Sequence, residues 1–307
     1  MQGIDFIGDI HGEYQHLITL LSKLSYSRTS NSWRHPEGRK ICFLGDYVDR
    51  GPQILEVVQT IRGMVDAGDA YAIMGNHEFN LISWHTSLTE GSSERCRPER
   101  KRYQLEESLV QLGEYDSEWI EWMRTLPPVW RRSGAVAVHA CWSPDDADTI
   151  MSEWHKAGNY WTPDLIRMAA EDGPLLGAVE RVMKGPEISL PNGTTMELGQ
   201  GDIRQHARIQ WWTPPDTTAP MGDQIIPNLK QQTPTLTTEQ GEAWPPGIKS
   251  TDPLVFCGHY WLKEEDPKPR TEKVVCLDYS VAKEGFLCAY RYDGENIARA
   301  EKMIGSR

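Results

Sequence analysis

Phe6-Ile7-Gly8-Asp9-Ile10-His11-Gly12, Phe43-Leu44-Gly45-Asp46-Tyr47-Val48-Asp49-Arg50-Gly51 and Ile73-Met74-Gly75-Asn76-His77-Glu78 are built alike. In each, a short apolar run passes through a glycine into side chains that can bind a metal or carry a proton. A glycine at 8, 45 and 75 allows a tight turn or close backbone packing where a strand releases its side chains. Roughly 30 residues separate successive stretches, room for a helical crossover. Tyr14–Leu24 and Gln53–Ala67 fill those gaps with apolar residues at helical spacing: Leu17, Leu20, Leu21 and Leu24, then Ile54, Val57, Val58 and Ile61. Pro52 precedes the second of these, as at a helix start. Strands are predicted at Ile4–Ile7, Lys40–Leu44 and Ala70–Met74. The β-α-β-α-β order predicts an α/β layered core, with ligands gathered outside the carboxyl ends of the strands.

Further along, Ala135–Val138 and Leu254–Cys257 read as buried strands that run into His139 and, through Gly258, into His259. Lys273–Leu277 and Gly285–Tyr290 add strand patterns. Leu105–Leu126 reads as one helix stopped by Pro127-Pro128, and Ala147–Met183 as helical pieces broken by Gly158, Pro163 and Gly173-Pro174. Residues 213–252 are rich in Pro, Thr and Gln and predict an irregular surface insertion. One domain over 1–307 carrying that insertion is the expected organisation.

Composition narrows the function. Acidic residues number 44 and basic residues 32, a formal net charge of −12. That excludes a general basic surface for nucleic acid or anionic membrane, though not a local basic pocket. No apolar run approaches the ~20 residues of a spanning helix, and no secretory signal precedes the first strand. Twelve Trp and eleven Tyr supply large surfaces to bury. The six cysteines, at 42, 96, 141, 257, 276 and 288, are scattered without a C-x-x-C pair. Buried reduced thiols and a cytoplasmic location are expected.

Alone, each motif is weak: Asp-x-His is common in solvated turns, and a histidine after an apolar run is commonly a core residue. His77-Glu78-Phe79-Asn80-Leu81 lacks the second histidine of H-E-x-x-H, and nucleotide or nucleophile-elbow signatures are absent. Three ordered motifs followed by two strand-end histidines are a different matter. GDIHG, GDYVDRG and GNHE, in this order and spacing, resemble the calcineurin-like metallophosphoesterase superfamily. The VDRG form is similar to its phosphoprotein-phosphatase branch, which includes bacterial members and diadenosine tetraphosphatases.

The resemblance implies a layered β-sandwich flanked by helices and a two-metal centre at the strand carboxyl ends. Asp9, His11 and Asp46 would hold one ion. Asp46 would bridge, and Asn76, His139 and His259 would complete the second site. Carboxylate, amide and imidazole ligands without thiolate suit Mn²⁺ best, with Fe or Zn²⁺ as alternatives. Two such cations can share a water, lower its pKa and aim it at phosphorus. His77 would be the general acid, Asp49 its orienting partner, and Arg50 a phosphate clamp. Arg208 is the first candidate for a second phosphate arginine and Arg204 the next. Trp211-Trp212 reads as core rather than as a base-stacking pair, and Tyr47 and Asn80 border the motifs as possible substrate contacts.

Two departures from the resemblance stand out. Trp261 occupies the last position of a Gly-His-x-His, and His139-Ala140-Cys141-Trp142 replaces the histidine-glycine-glycine of eukaryotic phosphatases. The expected activity is hydrolysis of a phosphate monoester, plausibly phosphoserine or phosphothreonine, so the partner would be a phosphopeptide or a nucleotide. Dinucleoside polyphosphate hydrolysis is the alternative. A catalytically silent scaffold would not need Asp49 and His77 beside the ligands.

Overall fold

The computed structural model describes residues 3–30, 32–90, 102–113, 117–132, 134–171, 173–191, 194–197, 203–229 and 233–307. Each of the first three apolar runs forms a strand, Ile4–Ile7, Lys40–Phe43 and Ala70–Ala72, and they pair in parallel with Ile4–Ile7 beside Lys40–Phe43. Phe286–Tyr292 pairs antiparallel on the other edge of Ile4–Ile7 and carries Asp278–Tyr279 and Met303–Gly305. A second sheet runs in the order Val274–Cys276, Leu254–Cys257, Ala135–Val138, Val129–Arg132. Its first three strands are parallel, and Val129–Arg132 pairs antiparallel through the short turn at Gly134.

The four residues of Ile4–Ile7, Ala135–Val138 and Leu254–Cys257 are buried throughout, as parallel strands covered on both faces should be. Phe6 of the first sheet stacks on Phe256 of the second with ring centroids 3.7 Å apart, and Trp130 and Tyr292 meet Phe6 edge-on. This aromatic contact joins the two sheets into one sandwich. Helices Tyr14–Lys23 and Ile54–Asp66 flank the first sheet, burying Leu17, Leu20 and Leu21, and Ile54, Val57, Val58, Ile61 and Met64. The predicted α/β sandwich with flanking helices is the observed fold.

Two details differ from the sequence reading. The single helix expected over Leu105–Leu126 is two, Arg102–Leu112 and Ser117–Arg124. Gly113 follows the first with φ +84°, the left-handed value that ends a helix. Within 213–252 the chain builds a short helix, Thr238–Ala243, closed by a capping box between Thr237 and Gln240. Ile225–Ile226 of the same segment pairs with His206–Ile209, which also pairs with Glu187–Ser189 to make a third, antiparallel sheet. Pro163 and Pro174 open helices Pro163–Met168 and Pro174–Lys184.

Trp211 and Trp212 are buried, as expected of core residues. Tyr47 is fully buried too: its hydroxyl reaches the Ile73 carbonyl at 2.7 Å, so it pins two strand ends together rather than facing substrate. Cys42, Cys141, Cys257, Cys276 and Cys288 are free and buried. Cys96 lies outside the described residues. No helix among them is long and apolar enough to cross a membrane.

Candidate metal centre and active site

The carboxyl ends of five strands, three from the first sheet and two from the second, meet at one point. His11, Asp46, Asp49, Arg50, His259 and Trp261 all adopt positive φ there, between 46° and 74°. Non-glycine residues rarely hold that conformation, and a cluster of them marks a place where the surroundings fix the backbone for a purpose other than stability. Gly45, with φ +95°, and Gly75 let the second and third loops touch. A Cβ on Gly75 would lie 2.3 Å from the Asp46 amide nitrogen.

Asp46 is the hub. Donor atoms of His11, Asp46 and His77 lie within 4.8 Å of one another, and those of Asp46, His139 and His259 do the same. Asp46 thus belongs to both triads. Asp9 is in neither. Its carboxylate accepts the His259 amide, at 3.0 Å to Oδ2, beside the triads rather than inside them. His77, predicted as an acid, has its Nε2 3.7 Å from Asp46 Oδ2 and completes the first triad geometrically. Asn76 joins the second, with Oδ1 3.0 Å from His139 Nε2.

Hydrogen bonds on the outer ring nitrogens set the tautomers. His11 Nδ1 donates to the Val48 carbonyl at 2.9 Å and His139 Nδ1 to that of Leu44 at 2.8 Å. The Nε2 atoms therefore face inward. Those of His11 and His259 are buried with no hydrogen-bond partner among the described residues. Burial, then Arg50, lowers the pKa of His11, and burial, then Arg208, lowers that of His259. Both are held as neutral imidazoles, the form that binds metal. Burial opposes charge on His139 as well, but Asp46 raises its pKa overall, and two acceptors, Asn76 Oδ1 and Asp46 Oδ1, converge on its Nε2.

The carboxylates carry the opposite demand. Burial, then Asp278 and Asp46, raises the pKa of Asp9. Asp46 stays ionised against burial because His139 and His77 face it. Inward lone pairs and crowded buried carboxylates together call for cations, so this donor set fits divalent metal.

Next to the triads, His77 Nδ1 donates to Asp49 Oδ2 at 2.5 Å and Arg50 Nη2 lies 3.3 Å from His77 Nε2. Arg208 donates from Nη1 to the His259 carbonyl at 2.8 Å, which brings it to the centre. Arg204 stands farther out, 3.9 Å from Glu187.

Three residues at the centre carried no role in the sequence reading. Glu78, fully buried, accepts the amides of Asp46, Tyr47, Val48 and Gly75 at 2.7–3.2 Å and so clamps the second loop to the third. Burial and the neighbouring Asp46 push its pKa up to about 7 against those bonds. Ser108, also fully buried, donates to Asp49 Oδ1 and accepts the Asp49 amide at 2.8 Å. Gln111, one helical turn later, accepts the Ile54 amide at 2.7 Å and donates to the Gly51 carbonyl at 3.1 Å. Glu78 sits in a quoted motif and could have been suspected. Nothing in the sequence marks Ser108 or Gln111.

The family model of calcineurin-like phosphoesterases matches residues 3–175, more than half of the chain. The chain belongs to the calcineurin-like phosphoesterase family. Within this family it is 47% identical over 73 residues to an asymmetrical bis(5'-nucleosyl)-tetraphosphatase of Halalkalibacterium halodurans. That match takes in 24% of this chain and spans only 30% of the relative's own length. A symmetrical bis(5'-nucleosyl)-tetraphosphatase of Aromatoleum aromaticum is 24% identical over 267 residues, 78% of this chain and 89% of that one. The solved structure of a cold-active protein tyrosine phosphatase is similar in fold, with a TM-score of 0.50 and 17% identity over 97% of this chain and 81% of that one.

Proposed function

We propose that the protein is a metal-dependent hydrolase of phosphate esters whose centre is built on Asp46. The supporting observation is the pair of triads sharing that carboxylate, with the His77–Asp49 pair and Arg50 beside them. Asp46, His11 and Asp9 would hold one divalent ion, and Asp46, Asn76, His139 and His259 a second, with Mn²⁺ the expected metal. When bound, the ions activate a water and neutralise charge on the phosphoryl oxygens.

The remaining work falls to side chains. Asp49 accepts the Nδ1 proton of His77, so Nε2 is the ring nitrogen left to carry a proton to the reaction. That proton passes to the leaving oxygen as the bond to phosphorus breaks, a contribution of about 10²–10⁴-fold. Arg50, which contacts His77 Nε2 at 3.3 Å, would turn its planar fork to the phosphoryl group as substrate enters. Arg208, held at the His259 carbonyl, would add the second clamp. No side chain of the centre is required to become phosphorylated.

Both substrate readings use this chemistry. Hydrolysis of a monoester such as a phosphopeptide needs only the groups named. Hydrolysis of a dinucleoside polyphosphate is supported by the tetraphosphatase names of two relatives.

A panel of phosphopeptide, diadenosine tetraphosphate and aryl phosphate, assayed with Mn²⁺, decides between the two. Loss of every activity with Mn²⁺, Co²⁺, Ni²⁺ and Fe²⁺ would overturn the enzymatic reading. His77→Asn is expected to retain bound metal, measured by elemental analysis, and to lose turnover about 10²-fold or more on a poor leaving group. Wild-type turnover by that variant would remove His77 from the acid role.

A further inference from the structure

Trp261, which stands where a Gly-His-x-His would place its last histidine, collects cations. Lys283 Nζ lies 3.7 Å from the Trp261 ring centroid, the Arg50 guanidinium carbon 4.3 Å and that of Arg208 5.6 Å. All three are within the range of a cation–π contact. Arg50 also touches His77, and Arg208 the backbone of His259, so two of these cations look toward the triads. Lys283 does not. It is exposed and lies in the 3₁₀ turn Val281–Lys283, outside the first sheet.

The platform is held rigidly. Asp278 Oδ2 accepts the Trp261 amide at 2.7 Å and its Oδ1 the Ser280 amide at 3.0 Å. Leu262 donates to the Asp278 carbonyl at 2.9 Å, and Ser280 Oγ to the Leu262 carbonyl at 3.1 Å. These bonds fix the loop that carries Trp261 against the loop that carries Lys283. They also commit both oxygens of Asp278 to backbone amides. Three cations gathered at one ring, in a chain of net charge −12, make a local positive patch of the kind that attracts an anion.

We infer that Trp261 and Lys283, with Arg208 between them and the triads, form an anion subsite for a second phosphoryl group next to the one that reacts. The ligand class is a phosphate chain. Three cations share one indole, each within 5.6 Å of its ring centroid, so a chain of several phosphates can meet more of them than a lone phosphate can. The subsite rests on the phosphoesterase reading of the neighbouring centre.

Calorimetric titration of the Mn²⁺-loaded protein, in excess Mg²⁺, with inorganic tripolyphosphate and separately with orthophosphate tests it. Lys283→Gln is expected to weaken tripolyphosphate about tenfold, the size of one charge-assisted contact, and at least fivefold more than it weakens orthophosphate. Lys283→Arg should restore the preference. Equal losses for both anions, or no loss for tripolyphosphate, would overturn the subsite. Aryl phosphate hydrolysis by the wild-type protein is a separate readout: its absence would overturn the phosphoesterase reading, while the two titrations still decide the subsite.

Discussion

Asp49 makes three hydrogen bonds, two accepted by its carboxylate and one donated by its amide. Oδ2 accepts from His77 and Oδ1 from Ser108, while the Asp49 amide donates back to the Ser108 oxygen. The carboxylate is therefore fixed in rotation as well as position, and His77 is aimed through it. Ser108→Ala should lower kcat about tenfold on an alkyl phosphate, the scale of one hydrogen bond to a charged group. The loss should be smaller on a nitrophenyl phosphate, whose leaving oxygen needs little proton donation. A merely structural role would lower thermal stability and reduce both rates alike, so the ratio of the two rates is the deciding measurement. At this scale, His11, Asp46, Asn76 and His77 were legible because polar ligand types directly after buried apolar runs are unusual. Ser108 was not, because a serine in a helix carries no signal until the helix is placed.

Among elements, the second loop depends on two neighbours that grip it from either side. Glu78, in the first turn of helix Asn76–Glu90, takes up amides of Asp46, Tyr47 and Val48, and helix Arg102–Leu112 holds residues 49–54 through Ser108 and Gln111. Gly75 makes the first grip possible. Gly75→Ala would drive a methyl group to 2.4 Å from Asp46 Oδ1 and 2.7 Å from Glu78 Oε2, so the two loops must separate. We expect a loss of about 1–3 kcal/mol in denaturant unfolding, the overpacking scale. Bound metal should fall in the same variant, measured by elemental analysis. Unchanged metal content would show that Asp46 does not depend on this contact. The helix split after Leu112 was missed for a related reason: apolar spacing across Leu105–Leu126 is helical on both sides of Gly113, and the left-handed φ of that glycine belongs to the folded chain.

For the molecule as a whole, the centre sits where the two sheets of the sandwich present their carboxyl ends, so ions held there would tie the sheets together. A ligand that binds only the folded state stabilises it by about 2.7 kcal/mol at a hundredfold excess over its Kd. For a chain of this size that is roughly 4 °C in Tm. Adding Mn²⁺ to chelator-treated protein should produce such a rise in scanning calorimetry. Asp46→Asn should abolish it, since Asp46 serves both triads. By itself the sequence determined the α/β order, the strands of the core, the three motif loops and the two strand-end histidines, because burial periodicity and ligand chemistry are local properties. Only the tertiary structure decided that the five strand ends come from two sheets. Only it set Asp9 beside the triads, gave Glu78 and Ser108 their hold on the second loop, and gathered Arg50, Arg208 and Lys283 on Trp261. Those contacts join residues up to 250 positions apart, as Asp9 and the His259 amide are, and no local pattern encodes which distant side chain will arrive.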